Sequence, residues 1–388
     1  MLACAEVFRV YRFFAGSLVA AVTSCVLISS RPARAQPAPP ADTGAQSTAP
    51  AEDEELPAYH HSIFSWEHTV TAATLGVGDK PLSYDPTYTM GFVARTRYYF
   101  VDNNLKGEHL RMALDAGLYR EWTNSDVTTQ RGEWDFADTE LSLVYARRFW
   151  GQSQTEGAYA QLIPVKLTLP TSKISYDSGR YFAVGPGVGV STVSPIFVGK
   201  LEHWSVSTLL LVNYQRWFAR ATVPTNESLE RVRLSPEGRS LPSDALSGSS
   251  LVRDQLAFSA RVRLSLGENV LWTTDAALAP AWKYDVQKHA PICGVVLTGC
   301  TDVPVSEDDS RYLVRTSFST EVSLRLAKAF SLDVGYGNAA NQLGPDGRRR
   351  SFFYSPEAVF YASVSFFPHE LATGSKQLAK NLFAPSVL

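Results

Sequence analysis

Residues 310–326 read SRYLVRTSFSTEVSLRL, and apolar and polar side chains alternate along this run with a period of two. Because successive side chains of a β-strand point to opposite faces, one face is almost wholly apolar and the other carries arginines, serines and Glu321. An ordinary strand has about five to six residues. A tilted strand that crosses an outer membrane needs roughly ten, with apolar residues facing lipid and polar residues facing the lumen. The run therefore predicts a membrane-spanning strand of a β-barrel.

The same alternation recurs in residues 253–266, and pairs of aromatic residues ten positions apart accompany it. Trp272 and Trp282 form one such pair, and Trp204 and Tyr214 form another. Ten residues at roughly 3.3 Å each, tilted by about 40°, rise about 25 Å, which is the height of the apolar band between the aromatic girdles of a barrel. The aromatic spacing thus agrees with the thickness of a membrane.

The composition of the 388 residues, 45% hydrophobic and 19% charged, allows either a large core or a lipid-facing surface. Beyond the N-terminus the chain has no uninterrupted apolar stretch of about eighteen residues, so spanning helices are excluded as the main architecture. The formal net charge of −2 gives no argument for a nucleic-acid partner.

The N-terminus resembles an export signal. Arg9 and Arg12 precede an apolar run over residues 13–28, and Ala33-Arg34-Ala35 supplies small residues for cleavage, which predicts a signal peptide over residues 1–35. The alternative is a lipoprotein signal in which Cys25 is acylated. Residues 36–60 are rich in Pro, Ala and acid, and are predicted to form a disordered periplasmic linker.

Residues 61–367 are predicted to form a closed antiparallel transmembrane β-barrel of about 12 strands. Ten or fourteen strands remain open, because Pro164, Pro186 and Pro280 interrupt three of the candidates. Short turns alternate with long polar loops such as 218–252 and 285–309, as in outer-membrane barrels. An even strand number then places both termini in the periplasm, with residues 368–388 as a C-terminal tail. A soluble β-sandwich or lipocalin-like barrel is the alternative fold.

Cys293 and Cys300 are the only cysteines left after cleavage of the predicted signal peptide. An even pair in an exported chain predicts a disulfide in the loop that holds both. No His or Cys pair lies nearby at zinc-site spacing, so neither a metal nor a cofactor is expected.

The polar parity of the strands assigns a set of charged residues to the barrel interior. Their excess of arginine would favour anions over cations in a wet, narrow lumen. The alternative is that arginines and acids on neighbouring strands pair and fill the barrel. The predicted pore-lining residues are Arg95, Arg97, Arg111, Asp115, Glu140, Arg148, Lys166, Arg261, Arg263, Asp275, Lys283, Arg315, Glu321 and Arg325.

Residues 162–190 read LIPVKLTLPTSKISYDSGRYFAVGPGVGV and contain the turn Leu169-Pro170-Thr171. This segment resembles the strand, Pro-Thr-Gly turn and Gly-rich strand of the outer-membrane channel family associated with the meta pathway of phenol degradation, with Ser172 in place of the usual glycine. The resemblance implies passage of small hydrophobic or aromatic compounds. One hypothesis is that the glycines and prolines loosen the wall here, so that an apolar solute leaves sideways; the alternative is that the glycines let the strand coil.

Two further patterns bear on partners and chemistry. Arg348-Arg349-Arg350 could bind phosphates of lipopolysaccharide in the outer leaflet, or could be a solvated charge run. The histidines are scattered, and none shares a segment with a serine and an acid at a spacing that suits a nucleophilic site. We therefore expect no enzyme, but an outer-membrane channel for passive diffusion of small hydrophobic or anionic solutes. A non-conducting structural, adhesion or receptor barrel, or a barrel lipase, is the alternative, and the sequence does not fix the oligomeric state.

Overall fold

The computed structural model describes the barrel and parts of its loops. The described residues are 57–78, 87–103, 106–123, 132–151, 156–196, 204–220, 222, 232–234, 240–242, 250–267, 269–285, 289–293, 300–304, 311–343, 349–355 and 358–371. The predicted signal peptide, the alternative acylation site Cys25, most of the predicted linker and the tail beyond residue 371 lie outside them.

Twelve long strands form a closed antiparallel β-barrel, which confirms the predicted fold class and strand number. Each strand pairs with its neighbours in sequence, and the first pairs with the last, for example Phe64 with Phe366. The strands are β1 (Ile63–Thr71), β2 (Tyr88–Asn103), β3 (Glu108–Glu121), β4 (Thr139–Trp150), β5 (Gly157–Leu169), β6 (Arg180–Pro195), β7 (Ser205–Ala219), β8 (Val252–Leu266), β9 (Val270–Lys283), β10 (Tyr312–Ala327), β11 (Phe330–Asn341) and β12 (Val359–Phe366).

Shorter elements lie at the ends of these strands. The strand Trp134–Phe136 pairs with β3, and the short helix α1 (Lys173–Asp177) connects β5 to β6. Val232–Leu234 and Ser240–Pro242 form one small hairpin, and His289–Cys293 and Cys300–Pro304 form another. Within the described residues, helices are all too short or too polar to cross a membrane.

The apolar and aromatic run that ends in β12 starts near residue 352, but the strand itself begins only at Val359. Side chains of β11 explain the delay, because they take up backbone groups of the preceding segment. The Asn338 amide donates to the carbonyl oxygens of Ser351 and Phe352, and the Tyr336 hydroxyl donates to that of Phe353. The segment is thus hydrogen-bonded without joining the sheet.

The outer surface of the barrel is apolar and rich in aromatic residues. Trp272 and Trp282 are 46% and 40% exposed on one face of β9, and Phe92 and Val334 are more than half exposed on β2 and β11. A soluble β-sandwich or lipocalin would bury such a face in its core, whereas a membrane barrel presents it to hydrocarbon. The architecture is that of a transmembrane barrel.

The two ends of the barrel differ, as predicted. Turns such as 267–269 and 328–329 lie at the end where β1 begins and β12 ends, and we call it the turn end. The connections at the other end, the loop end, are longer and include residues 220–251 and 284–311. Most of these two loops lies outside the described residues.

The three prolines inside strands lie where the ladders are interrupted. The pairing of β5 with β6 shifts register between Ile163 and Lys166, a segment that contains Pro164 and faces Pro186. The pairing of β4 with β5 shifts at the same level. Pro280 pairs with β10 but has no partner position on the described strand β8. Since proline has no N–H, each interruption falls where a ladder would lack a donor. We call the interruption around Pro164 and Pro186 the proline gap.

The glycines of β6 lie against the backbone of β7. A Cβ atom on Gly185 would overlap the carbonyl oxygen of Tyr214, and one on Gly189 would lie 2.7 Å from that of Leu210. The close approach requires glycine. This close approach supports the simpler interpretation of the Gly-rich strand, in which the glycines let the wall bend.

We predict that Gly185→Ala destabilises the barrel by roughly 1–3 kcal/mol, because the added methyl group has no room to shift away from a carbonyl of the neighbouring strand. The matched control is Gly337→Ala in β11, where the new Cβ would lie 3.5 Å from the Val359 side chain, an ordinary contact. The fraction of folded barrel on unheated electrophoresis gels and the thermal midpoint in detergent measure the effect. Equal behaviour of the two variants would contradict the prediction.

Candidate functional site: the barrel lumen

The interior face of the barrel carries the charged residues that the alternation assigns to the lumen. Arg261 and Arg263 flank the exposed Val262 on β8, and Glu321 precedes the exposed Val322 on β10. The registers extend this parity across the wall. All fourteen predicted residues thus lie on the face opposite the aromatic one, distributed over β2–β5 and β8–β10. Their role in lining a conducting path stays a prediction.

Some interior charges pair across neighbouring strands. Ion pairs in the described lumen include those of Arg97 with Asp115 at 2.7 Å, Lys166 with Glu140 at 2.9 Å, and Arg261 with Asp275 at 2.5 Å. Each pair links two adjacent strands and reduces the free charge that a solute would meet. The alternative of paired, space-filling charges therefore describes part of this lumen.

Other arginines have no such partner. Among the described residues no carboxylate lies within ion-pair distance of Arg95, Arg263 or Arg111. Arg111 donates to the Tyr99 hydroxyl at 3.2 Å, but its buried Nε atom has no hydrogen-bond acceptor in the described part of the chain. Arg111 on β3 and Arg263 on β8 are close enough for their charges to repel each other, although their strands are far apart in the wall. We call Arg95, Arg111 and Arg263 the unpaired arginines.

Asp333, on β11, is an interior acid that the prediction missed. Its carboxylate is 6% exposed and accepts hydrogen bonds from three hydroxyls: Ser331 at 3.0 Å, Ser363 at 3.1 Å and Ser365 at 2.6 Å. The sequence does carry a signal for it, since Asp333 alternates with the apolar residues of SLDVG in the interior parity. Hydroxyl donors rather than a cation satisfy this charge.

Two more interior carboxylates are also held by hydroxyls. Glu321 accepts from the Tyr361 hydroxyl at 2.9 Å and from Ser323 at 3.2 Å. Glu67, a second acid that the prediction missed, accepts from Thr69 at 3.1 Å. The excess of basic residues is therefore smaller than the predicted set implies. The unpaired arginines, however, have no carboxylate partner in the described lumen while these carboxylates are occupied by hydroxyls.

Helix α1 lies at the loop end and follows the turn Leu169-Pro170-Thr171. Ser172, where the family resemblance expects glycine, is the N-cap of this helix and accepts a hydrogen bond from the Ser175 amide. Asp138 accepts from the Ser172 amide at 3.0 Å and from the Ser175 hydroxyl at 2.6 Å. A serine supplies a cap that glycine cannot, so the substitution has a local structural reason.

The two cysteines lie opposite each other in the loop hairpin, where the backbone register pairs Cys293 with Cys300. Directly opposed residues of antiparallel strands have Cα atoms about 4.5–5.5 Å apart, which lies within the range of about 4.4–6.8 Å that a disulfide spans. The register therefore suits the predicted disulfide.

We predict that the exported protein contains this disulfide. Its intact mass without reductant should be lower by two hydrogen masses than after reduction, and alkylation before reduction should leave Cys293 and Cys300 unlabelled. Cys293→Ser gives the control, because the remaining Cys300 should then react. Complete alkylation of both residues in the unreduced protein would disprove the prediction.

The predicted lipopolysaccharide site is described only in part. Arg348 lies outside the described residues, Arg349 is exposed, and the Arg350 amide donates to the Gln342 carbonyl oxygen at 2.8 Å. Binding of lipid phosphate by this run stays a prediction.

Histidines that are scattered in the sequence meet at the turn end. His60 and His109 both contact Asp102, at 3.1 and 2.5 Å, and His61 lies against His369. Contacts between remote strands bring them together, so the spacing in the sequence could not reveal the group. Among the described residues, no cluster of three or more His, Cys, Asp or Glu is arranged to hold a metal ion.

Comparisons with known proteins return similar folds only. No family model and no curated protein matches the chain. Among solved structures, the COG4313 outer membrane channel from Pseudomonas putida F1 has 13% identity and a TM-score of 0.46, covering 82% of this chain and 98% of its own. The KdgM porin has 8% identity and a TM-score of 0.31, covering 78% and 98%. The TodX monoaromatic hydrocarbon channel has 12% identity and a TM-score of 0.28, covering 79% and 88%. At these levels the function has to be argued from the lumen itself.

Proposed function

We propose that this protein is an outer-membrane channel through which small solutes diffuse passively, with a preference for anions. The observation that carries the proposal is the contrast between the two faces of the wall. The exterior is apolar and aromatic, whereas the described interior holds Arg95, Arg111 and Arg263 with no carboxylate within ion-pair distance. A lumen filled by paired charges would place an acid beside each arginine, because an uncompensated buried charge costs free energy.

The preference for anions follows from which interior charges are free. The carboxylates of Asp333 and Glu321 accept several hydroxyl hydrogen bonds, and those of Asp115 and Asp275 are paired with arginines. The unpaired arginines have no comparable partners within the described lumen. A solute carrying a carboxylate or phosphate would supply the missing acceptors, and a low local dielectric would strengthen the attraction.

Planar bilayers test both parts of this proposal. We predict discrete conductance steps, and a reversal potential in a KCl gradient that shows chloride to be more permeant than potassium. In the double variant Arg111→Gln/Arg263→Gln the chloride-to-potassium permeability ratio should fall by about threefold, since the local anion concentration falls with the positive potential. The control is Arg311→Gln, because Arg311 is exposed at the loop end and pairs with Asp285 at 3.1 Å.

The outcomes separate the alternatives. Absence of conductance steps in purified, folded protein would favour a non-conducting structural, adhesion or receptor barrel. Conductance with an unchanged permeability ratio in the double variant would refute the role of the unpaired arginines while leaving the channel intact. Hydrolysis of lipid esters by the wild type would instead favour a barrel enzyme.

The outer membrane is the location that fits this architecture, because closed barrels with an aromatic exterior are found there. We propose that the turn end, where β1 begins and β12 ends, faces the periplasm together with both termini, and that the longer loops face outward. The predicted signal peptide supports export, and the outer-leaflet lipopolysaccharide would then surround the loop end.

A second route, for apolar solutes, is proposed through the wall at the proline gap. Register shifts occur at one level in two successive strand pairs, β4–β5 and β5–β6. Each shift removes ladder hydrogen bonds and so lowers the cost of separating the strands. Leu162 and Val188 border the gap on the lipid face and are 46% and 55% exposed. An apolar solute would leave the lumen here directly into hydrocarbon.

A disulfide that ties the gap shut tests this route. Leu162→Cys/Val188→Cys should block uptake of a phenol into liposomes when oxidised and restore it on reduction, because the two positions are register partners. The control disulfide Thr208→Cys/Val262→Cys joins β7 and β8 where the ladder is uninterrupted. Equal phenol uptake by the oxidised and reduced gap variant would dismiss the sideways route.

A further inference from the structure

Arg180, the first residue of β6, lies on the face that simple alternation does not predict for it. Val188 and the other even-numbered residues of β6 face lipid, so a strict period of two would point Arg180 at lipid as well. The pairing of β6 with β7, however, shifts by one residue between Arg180 and Phe182. Arg180 therefore lies opposite Ala219, which shares the parity of Trp217 on the lumen face of β7. An irregularity of this kind re-aims a side chain, and here it turns an arginine into the lumen.

The ring of Trp217 and the hydroxyl of Ser175 hold the Arg180 guanidinium group in place. Its Cζ atom lies 4.6 Å from the centre of the Trp217 ring, and its Nη1 atom donates to Ser175 Oγ at 3.4 Å. The buried Nε atom has no hydrogen-bond acceptor in the described part of the chain. A guanidinium group carries five N–H donors. The described contacts thus position this side chain without supplying an acceptor for its buried donor.

The acid whose charge reaches Arg180 is engaged by other donors. Asp138 attracts Arg180, but one of its carboxylate oxygens accepts from the Ser172 amide at 3.0 Å and the other from the Ser175 hydroxyl at 2.6 Å. Both oxygens therefore hold the start of α1. Among the described residues no carboxylate lies within ion-pair distance of Arg180.

A second arginine, Arg315 of β10, lies close to Arg180 inside the lumen. Arg315 pairs with Ala279 on the lumen face of β9, its side chain is exposed, and its charge reaches and repels that of Arg180. Three strands separate β6 from β10 in the wall, so the two side chains approach each other only across the lumen. No described carboxylate lies within ion-pair distance of Arg315. We call Arg180 and Arg315 the entry arginines.

The entry arginines lie nearer to the loop end than Arg263 does. The registers place Arg263 of β8 in one row with Thr273 of β9 and Glu321 of β10. Glu321 lies roughly 20 Å further along β10 towards the turn end than Arg315. A solute that enters from the loop end therefore meets the entry arginines before it meets Arg263.

We infer that the entry arginines form a binding site for a small oxyanion, a carboxylate or a phosphate, at the loop end of the lumen. Two like charges held near each other repel, and an anion bound between them offsets that repulsion. The planar fork of each guanidinium group matches the oxygens of such an anion. The place of the site on a transport path rests on the proposed channel function, whereas binding itself is measured without it. Binding should saturate, with a dissociation constant on the order of 1 mM for two charge-assisted contacts in hydrated surroundings.

Fluorine NMR of para-fluorobenzoate added to the folded protein in detergent measures this binding directly. We expect the fluorine shift to saturate with the wild type. Arg315→Gln should weaken the binding by about tenfold, because one charge-assisted contact is lost. This side chain is exposed and has no described carboxylate partner, so the variant should fold, which unheated electrophoresis gels check. Arg180→Lys, which keeps the charge but lacks the planar fork, should also weaken the binding.

A control variant and a competitor define the site further. Arg311→Gln removes another arginine of the loop end, which pairs with Asp285 at 3.1 Å, and should bind para-fluorobenzoate as the wild type does. Inorganic phosphate and unlabelled benzoate then compete for the site. Stronger displacement by phosphate would assign the site to phosphates, and stronger displacement by benzoate would assign it to carboxylates.

The failures can be told apart. A fluorine shift that rises linearly with concentration in the wild type, or equal affinity in the wild type and Arg315→Gln, would overturn the inference even if the protein conducts. Binding that survives in Arg315→Gln but disappears in Arg111→Gln/Arg263→Gln would place the anion at the unpaired arginines and would also overturn it. Saturable binding that Arg315→Gln weakens, in a protein that shows no conductance, would overturn the channel proposal and leave the site standing.

Discussion

The whole architecture depends on backbone hydrogen bonds that cannot be exchanged with water. Within hydrocarbon an unpaired N–H or C=O group costs several kcal/mol, so a sheet can cross a membrane only when it has no free edge. The pairing of β1 with β12 removes that edge. Once the sheet is closed, the period of two in each strand sorts its residues into a lipid face and a lumen face. The interior charges and the lipid-facing aromatic residues both follow from this division.

The hydrogen-bond ladder is interrupted at prolines, and neighbouring strands approach unusually closely at a glycine. Pro164 and Pro186 lie opposite each other, so two residues that cannot donate share one interruption instead of creating two. Gly185 allows β7 to approach where any Cβ would overlap its backbone. The wall is therefore continuous, but its ladder of β5 and β6 is interrupted within residues 162–190.

Much of this could be predicted from the sequence, and the limit has a clear physical origin. Alternation in runs such as SRYLVRTSFSTEVSLRL fixes the strand type, the lipid face and the interior parity, because these depend on neighbours within one strand. Contacts between strands depend on register, which alternation does not encode. The hydroxyls around Asp333 and the histidines around Asp102 were therefore invisible. Residues 57–60 have the composition of a linker, yet backbone carbonyls, which composition does not reveal, attach them to β2.

Closure of the wall also has a consequence for biogenesis. Ser65 and Ser365, hydrogen-bonded at 2.8 Å across the seam between β1 and β12, are 300 positions apart in the chain. A contact of such high order forms late and slowly, since the entropy of closing the loop is lost before the contact is gained. Until the last strand arrives, the nascent sheet keeps two unsatisfied edges and an apolar surface exposed. The unfinished sheet is therefore prone to pair with other chains until the seam is made, because open edges and exposed apolar surface associate readily.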